Sequence, residues 1–382
     1  MAYLFESEEH AAIRATCRKF AAAHIAPRGA EWEESEEFPV ELYKTAAAAG
    51  IQGIGYPESV GGQGGDLSHV LVACEELILA GRSVGTIVGL GTHGIALPPI
   101  VRFGTPEQQA RFVTPCLRDG KISALGITEP GGGSDVASLT TKAVRDGDHY
   151  VITGAKTFIT SGTRADFVTT AVRTGGDAHG GISLVVIERG TPGFEVSKKL
   201  KKTGWWASDT AELRFESCRV PVANRIGPEN GAFPMIMMNF VGERLALAGQ
   251  CVAIAELAYR ESITYARERN AFGKPLSGFQ VTRHKLADMA SRIAAARALT
   301  GEVCARALKA NDPSLAGLAA KAKNVATDMC SFVCDQAVQI HGGYGYMRET
   351  LVERLYRDAR LYPIGGGTRE IMNEVIAKTE GY

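Results

Sequence analysis

Across residues 233–255 the only charged side chains are Glu243 and its neighbour Arg244. On a helix, Glu243 shares a face with Asn239, Phe240, Ala246 and Leu247, and Arg244 points about 100° away, so it need not neutralise the acid. Desolvation raises the pKa of such a carboxyl group, which suits a general base; an interhelical ion pair would explain the same pattern. A second chemistry-bearing segment is LGITEPGGGSD at 125–135, an apolar lead-in followed by three adjacent glycines and a serine. Its backbone N–H groups can approach a flat cofactor or a phosphate, and the Thr128 and Ser134 hydroxyls can donate to it. A plain turn would need only one or two glycines.

Four other clusters admit simpler readings. RNAFG at 269–273 ends a long helix with Arg269, a cation well placed for the C-terminal dipole. QIHGGYGY at 339–346 is a glycine-rich helix end, where His341 reads as a packed or capping residue. GGGTRE at 365–370 places Thr368 as the N-cap of a final helix, an anion site in geometry, although capping alone explains the threonine. Lys198, Lys199, Lys201 and Lys202 read as a solvated turn. The GLGTHG run at 89–94 satisfies the dinucleotide pattern GxGxxG but follows a helical rather than a strand pattern, and no acid stands at a strand end about 20 residues on. Helix packing accounts for it.

The elements that must hold these residues follow from periodicity. Residues 7–26, 40–50 and 67–89 repeat with a helical period, separated by Pro27, Pro39, Gly50 and the GGQGG of 61–65, and Thr105 with Pro106 starts another helix. Between about 121 and 226 the period becomes two, with strands expected at 149–160, 166–174, 181–189, 193–199 and 210–220. Such short strands build a small antiparallel barrel or sandwich. Long helical patterns return at 233–270, 275–309 and 314–343, lengths that suit a bundle. The expectation is an α+β chain: an N-terminal α-helical domain at 1–120, a central antiparallel β domain at 121–230, and a C-terminal helical bundle at 231–382. Helix and strand do not alternate, which argues against a doubly wound sheet.

Composition narrows the function classes. The 382 residues correspond to two or three domains at roughly 150 each. Lys plus Arg is 42 and Asp plus Glu is 42, so no overall field draws the chain to nucleic acid or an anionic membrane. The most apolar short run, SLVVI at 183–187, is strand-sized and no stretch approaches 18 consecutive apolar residues, so no membrane span is expected. The acidic start MAYLFESEEH lacks the basic and apolar regions of a secretory signal, and export by that route is not expected. Eight cysteines without a CxxC point to a reducing compartment, cytoplasmic in a bacterium, and to no disulfide framework or metal site. Cys330 and Cys334, four residues apart, read as helix core.

In this order the motifs ITEPGGGSD (127–135), FITSG (158–162), RNAFG (269–273), QIHGGYGY (339–346) and YPIGGGTREI (362–371) resemble the acyl-CoA dehydrogenase family, and the resemblance covers essentially the whole chain. It implies an N-terminal helical domain, a central β domain and a C-terminal four-helix bundle. FAD is expected between the last two, partly held by a neighbouring subunit. Carried over by position, Leu125, Ile127, Thr128, Gly133, Ser134, Phe158, Ile159 and Thr160 resemble the contacts of the flavin ring, with Phe158 where many relatives have Trp. Arg269, Phe272, Gln280, Gln339, Gly342 and Gly343 resemble positions that hold the pyrophosphate and adenosine half across a dimer interface, and Thr368 and Glu370 match late FAD contacts. Ser134, Val241, Arg244, Gly365 and Gly366 are expected at the substrate.

Many family members carry the catalytic Glu just before the final Gly-Thr, where this chain has Gly366. The isovaleryl-CoA and long-chain members place it instead on the long C-terminal-domain helix in a Glu-Arg pair, the position of Glu243 and Arg244. HKLAD at 284–288 and the flanks of the last two motifs also lean towards the long-chain branch. The implied reaction is FAD-dependent α,β-dehydrogenation of an acyl-CoA to the trans-2-enoyl-CoA in fatty-acid or branched-chain catabolism. Glu243 would be the base, with the Gly366 amide and a flavin ribityl hydroxyl as the oxyanion hole. Family habit implies a homotetramer, a dimer of dimers, that passes electrons to electron transfer flavoprotein. The alternatives are an oxygen-using acyl-CoA oxidase and a non-catalytic scaffold that binds FAD and acyl-CoA.

Overall fold

The computed structural model describes residues 2–176, 179–309, 312 and 314–382. The N-terminal third is helical: α1 Glu8–His24, α2 Gly29–Glu34, α3 Glu41–Ala48, α4 Leu67–Gly81, α5 Val84–Leu90, α6 His93–Ala96, α7 Pro98–Phe103, α8 Pro106–Gln108 and α9 Thr114–Arg118. Caps set the starts. Asp66 accepts from the Ser68 amide (2.8 Å) ahead of α4, and Thr105 forms a capping box with Gln108 around Pro106. The helical pattern at 67–89 is not one helix. Arg82 takes a left-handed conformation (φ +56°) and ends α4, and the reversal lets Ser83 hydrogen-bond to Glu33 (3.2 Å) and Thr86 (2.8 Å). Gly89 lies in α5 against Phe38, with a Cβ only 2.5 Å from the ring edge if one were present, so its glycine character serves packing.

The middle of the chain forms one eight-stranded sheet: β1 Ser123–Gly126, β2 Lys142–Asp146, β3 His149–Thr160, β4 Phe167–Arg173, β5 Ile182–Glu188, β6 Phe194–Lys199, β7 Thr210–Pro221 and β8 Arg225–Ile226. The strand path is β6-β7-β3-β2-β4-β5-β8, with β1 beside β4. The five expected strands are present. The sheet is mostly rather than wholly antiparallel, because β1 and the first residue of β2, Lys142, pair with β4 in parallel. β1, β2 and β8 were not among the expected strands; they are too short to carry an alternation of their own. The β3–β7 register shifts between Lys156 and Ile159, a bulge that throws Phe158 out of the sheet at φ +59°.

From residue 232 the chain is helical again: α10 Ala232–Glu268, α11 Gln280–Ala307, α12 Leu315–His341, α13 Leu351–Ala359 and α14 Arg369–Glu380. α12 packs against α10, α11 and α14, and its buried face is built from Ala319, Ala322, Ala326 and Cys330. Small residues let the axes approach closely. Buried Cys330 and Cys334 belong to this core, and all eight cysteines are free. Among the described residues no single helix is long and apolar enough to cross a membrane. Lys202 corrects the reading of its run as a solvated turn. It is half-buried, its Nζ donates to Thr210 Oγ1 (3.0 Å) and the Ser208 carbonyl, and burial pulls its pKa down to about 8.

Candidate active site

Two groups of residues come together near the sheet and the bundle. The first surrounds the loop after β1. The Thr157 amide, within β3, donates to the Thr128 carbonyl (2.9 Å), so the 127–135 loop is tied to the strand that carries Phe158, Ile159 and Thr160. Beneath it, Glu129 and Lys156 form a buried pair at 2.8 Å, and Lys156 Nζ also donates to the Ile127 carbonyl (3.1 Å). Thr140 and Thr141 complete the carboxylate's hydrogen bonds. Gly133 and Ser134 are exposed on the loop, Leu125 and Thr128 are half-buried, and Ile127 and Ile159 are buried below. Phe158 is 68% exposed in the strained left-handed region, an apolar ring presented to open space beside Thr128 and Thr160. A Cβ at Gly131 or Gly132 would meet nothing within 4 Å, so the loop leaves room above its backbone.

The second group is the corner between α10 and the 365–367 turn. Glu243 is half-buried as a residue, yet its Oε2 is sealed from solvent and has no hydrogen-bond partner among the described residues. Burial pushes its pKa up to about 7 against the opposing charges of Arg244 and Lys323. Gly366 (φ +67°) faces it: an added Cβ would stand 3.4 Å from Glu243 Oε1 and 2.6 Å from Leu247 Cδ1. Arg244 is buried, and its Nε donates to the Gly366 carbonyl at 3.4 Å. The Gly365 amide donates to the Leu361 carbonyl (2.9 Å), whereas among the described residues the Gly366 amide has no acceptor. Thr368 caps α14 directly after the turn, its Oγ1 accepting from the Ile371 amide (3.4 Å), and Glu370 lies exposed in the first helical turn.

Val241 is not brought to this corner. It packs with Leu245, Val303, Ala319 and Ala322, on a face of α10 about 160° from Glu243. Arg269, Phe272, Gln280, Gln339, Gly342 and Gly343 gather elsewhere, at the C-terminal ends of α10 and α12 and the start of α11. All six are exposed, Phe272 almost completely (96%), and among the described residues no hydrogen bond ties them to the first two groups. His341, beside them, is packed: it stacks on Tyr265 (4.3 Å between centroids) and its Nδ1 pairs with the Ala337 carbonyl (2.8 Å). The sequence reading missed Glu129 with Lys156, and Lys323. A period-four signal existed for Lys323, which falls on the buried face of α12 between Ala319 and Thr327.

Comparison with known proteins agrees along the whole chain. Residues 7–119, 124–218 and 230–380 match the family models described as the N-terminal, middle and C-terminal domains of acyl-CoA dehydrogenase. The chain is 39% identical over 373 residues to the mitochondrial isobutyryl-CoA dehydrogenase of Bos taurus, covering 98% of this chain and 89% of that protein. It is 39% identical over 377 residues to the mitochondrial long-chain specific acyl-CoA dehydrogenase of Rattus norvegicus, covering 97% and 86%. A crystal structure of a probable acyl-CoA dehydrogenase from Mycobacterium abscessus superposes with a TM-score of 0.96 at 51% identity, covering 98% of this chain and 99% of that one. With three domain models matched in order and relatives aligned almost end to end, the chain belongs to the acyl-CoA dehydrogenase family of FAD-binding oxidoreductases.

Proposed function

We propose that the chain catalyses α,β-dehydrogenation of a saturated acyl-CoA thioester to the trans-2-enoyl-CoA, with Glu243 as the base that takes the α proton. The observation that carries this reading is the Glu243 corner: a sealed, unpartnered carboxylate oxygen beside a glycine turn whose Gly366 amide is free. A carboxylate of ordinary pKa, about 4.3, is a weak base for such a carbon acid. Burial that lifts Glu243 to about 7 makes it stronger while leaving it substantially ionised at neutral pH. The Gly366 N–H, which has no acceptor among the described residues, is free to donate to the thioester oxygen and stabilise the charge that develops there. Arg244 fixes that turn through the Gly366 carbonyl.

The exposed Phe158 ring, the hydroxyls of Thr128 and Thr160 and the open glycine loop fit a flat ring system laid across the first group. Leu125, Ile127, Gly133, Ser134 and Ile159 would border it. Bound FAD supplies the acceptor for the hydride that leaves the β carbon. Exposed Arg269, Phe272, Gln280, Gln339, Gly342 and Gly343 would hold the dinucleotide half of a partner subunit's FAD, with Thr368 and Glu370 as late contacts. That arrangement requires at least a dimer, and a homotetramer with electron transfer flavoprotein as acceptor completes the reading. The segments 1–120, 121–230 and 231–382 are proposed as its domains.

The test is anaerobic titration of the yellow holoenzyme with acyl-CoAs of varied length and branching, including isobutyryl-, isovaleryl-, butyryl- and palmitoyl-CoA. Loss of the flavin's visible absorbance with one subset supports dehydrogenation and names the acyl class. Retention of colour with the whole panel defeats the reading. Rapid reoxidation of the product-bound enzyme by air would assign an oxidase instead.

A further inference from the structure

Lys323 is the least expected side chain in the bundle: 1% exposed, on the alanine-lined face of α12, with its ammonium against the 365–367 turn. Its Nζ donates to the Gly367 carbonyl, while Arg244 Nε donates to the Gly366 carbonyl next to it. Two buried cations, from two helices, thus grip consecutive carbonyls of one glycine turn. A Cβ placed on Gly366 would stand 3.4 Å from Glu243 Oε1 and 3.9 Å from Lys323 Cε, so carboxylate and ammonium stem border the same glycine. A glycine turn has no side chain to fix its own conformation, and its amide is useful only if held in one orientation.

We infer that Lys323 is a positioning residue for the dehydrogenation: its ammonium anchors the 365–367 turn and supplies the buried positive charge that keeps the Glu243 carboxylate ionised. This rests on Glu243 being the base. The charged groups that face Glu243 are Arg244 on its own helix and Lys323 from α12; those that face Lys323 are Glu243 and Arg244, with the Cys251 thiol, all from α10. Burial pulls Lys323 down to about 8, which leaves it mostly protonated at neutral pH, and its charge opposes the burial that raises Glu243.

The test is an infrared pH titration of the holoenzyme, following the carboxylic-acid carbonyl band that is absent in Glu243→Gln. The expected midpoint is about 7 in the unmodified chain. In Lys323→Met it should rise by about one pH unit, a tenfold drop in the ionised fraction below the midpoint. In Lys323→Arg it should stay within a few tenths of a unit. In parallel, kcat for an acyl-CoA that bleaches the unmodified enzyme should fall roughly fivefold at pH 7 in Lys323→Met, with KM little changed, and recover in part in Lys323→Arg. A role confined to packing would change melting temperature and leave the midpoint alone, and an unmoved midpoint in Lys323→Met overturns the inference. So does an equal shift in Lys323→Arg, the variant that serves if Lys323→Met does not fold. Normal turnover in Glu243→Gln together with a shifted midpoint would instead sink the base assignment and leave the charge effect of Lys323 standing.

Discussion

Glu129 and Glu243 are both drawn out of solvent by the same fold, and they end in opposite states. Glu129 has Lys156 Nζ (2.8 Å) and the Thr141 amide (2.9 Å) on one oxygen and the Thr140 amide (2.6 Å) and hydroxyl (2.7 Å) on the other. Burial pulls its pKa up, and the Lys156 charge with these hydrogen bonds more than reverses that, down to about 2. Glu243 has two cations nearby but no donor on Oε2, and burial takes it to about 7. Burial alone does not decide the charge of a carboxyl group; the charge beside it and the donors aimed at its oxygens decide with it. The saturated carboxylate ties the 127–135 loop to β3, and the unsaturated one is left able to accept a proton.

The sharpest way to break this contrast is to remove each acid's charge in turn. Glu243→Gln should lower turnover by about 10²- to 10⁴-fold while FAD content and acyl-CoA binding persist, as measured by anaerobic stopped-flow bleaching of the flavin. Turnover within tenfold of the unmodified enzyme would end the assignment. Glu129→Gln should do the reverse. It leaves the Lys156 ammonium buried without a counter-charge, held only by neutral acceptors such as the Ile127 carbonyl and the new amide oxygen, and breaking a buried ion pair in this way costs about 3–5 kcal/mol. Denaturant unfolding should show that loss together with reduced FAD retention, and an unchanged unfolding midpoint would mean the pair is not what holds the loop.

The same contrast marks what the sequence made legible. The order helix, sheet, helix followed from periods of 3.6 and 2, and Thr105 and Thr368 were readable as N-caps because capping is local. Glu243 stood out as an isolated acid, but the pattern alone left base and ion pair equal. What supports the proposed base is Gly366 beside the carboxyl, and no periodicity connects α10 to a turn so distant in sequence. The Glu129–Lys156 pair was invisible for a similar reason. Lys156 lies in a strand whose alternation reads as half-exposed, and only the bulge before Ile159 and the loop after β1 enclose it. Val241 shows the converse: it is near the acid in sequence and on the far side of the helix in space.

A smaller effect sharpens the comparison through pH. A carboxyl group whose folded pKa of about 7 exceeds its unfolded value holds more protons folded than unfolded between the two. Its contribution to stability is fully present below about pH 4 and is lost as pH rises through 7. Glu243→Gln should therefore unfold later than the unmodified chain at pH 8, by on the order of 3 kcal/mol, with the difference vanishing near pH 4. For Glu129 the sign is opposite: its depressed pKa contributes stability above about pH 4.5 that is lost as pH falls towards 2. Denaturant melts of the unmodified chain and both glutamine variants across about pH 2 to 8 would show the two acids changing stability in opposite directions, Glu129 below about pH 4.5 and Glu243 above it. Parallel curves would mean that the two acids are not electrostatically distinct.

The smallest expected effect tests whether the Glu243 corner depends on its neighbour helix. Thr368 caps α14 one residue after Gly367, so the cap and the turn beside Glu243 share backbone. Thr368→Ala removes the acceptor for the Ile371 amide and should cost about 1 kcal/mol, and Thr368→Ser should restore most of it. If the turn were held by the cap, kcat would fall with stability in the alanine variant and return with serine. With Arg244 and Lys323 each gripping a turn carbonyl, kcat per bound FAD should instead stay within about twofold while the unfolding midpoint drops and FAD retention weakens, because stability and turn geometry are then held by different contacts.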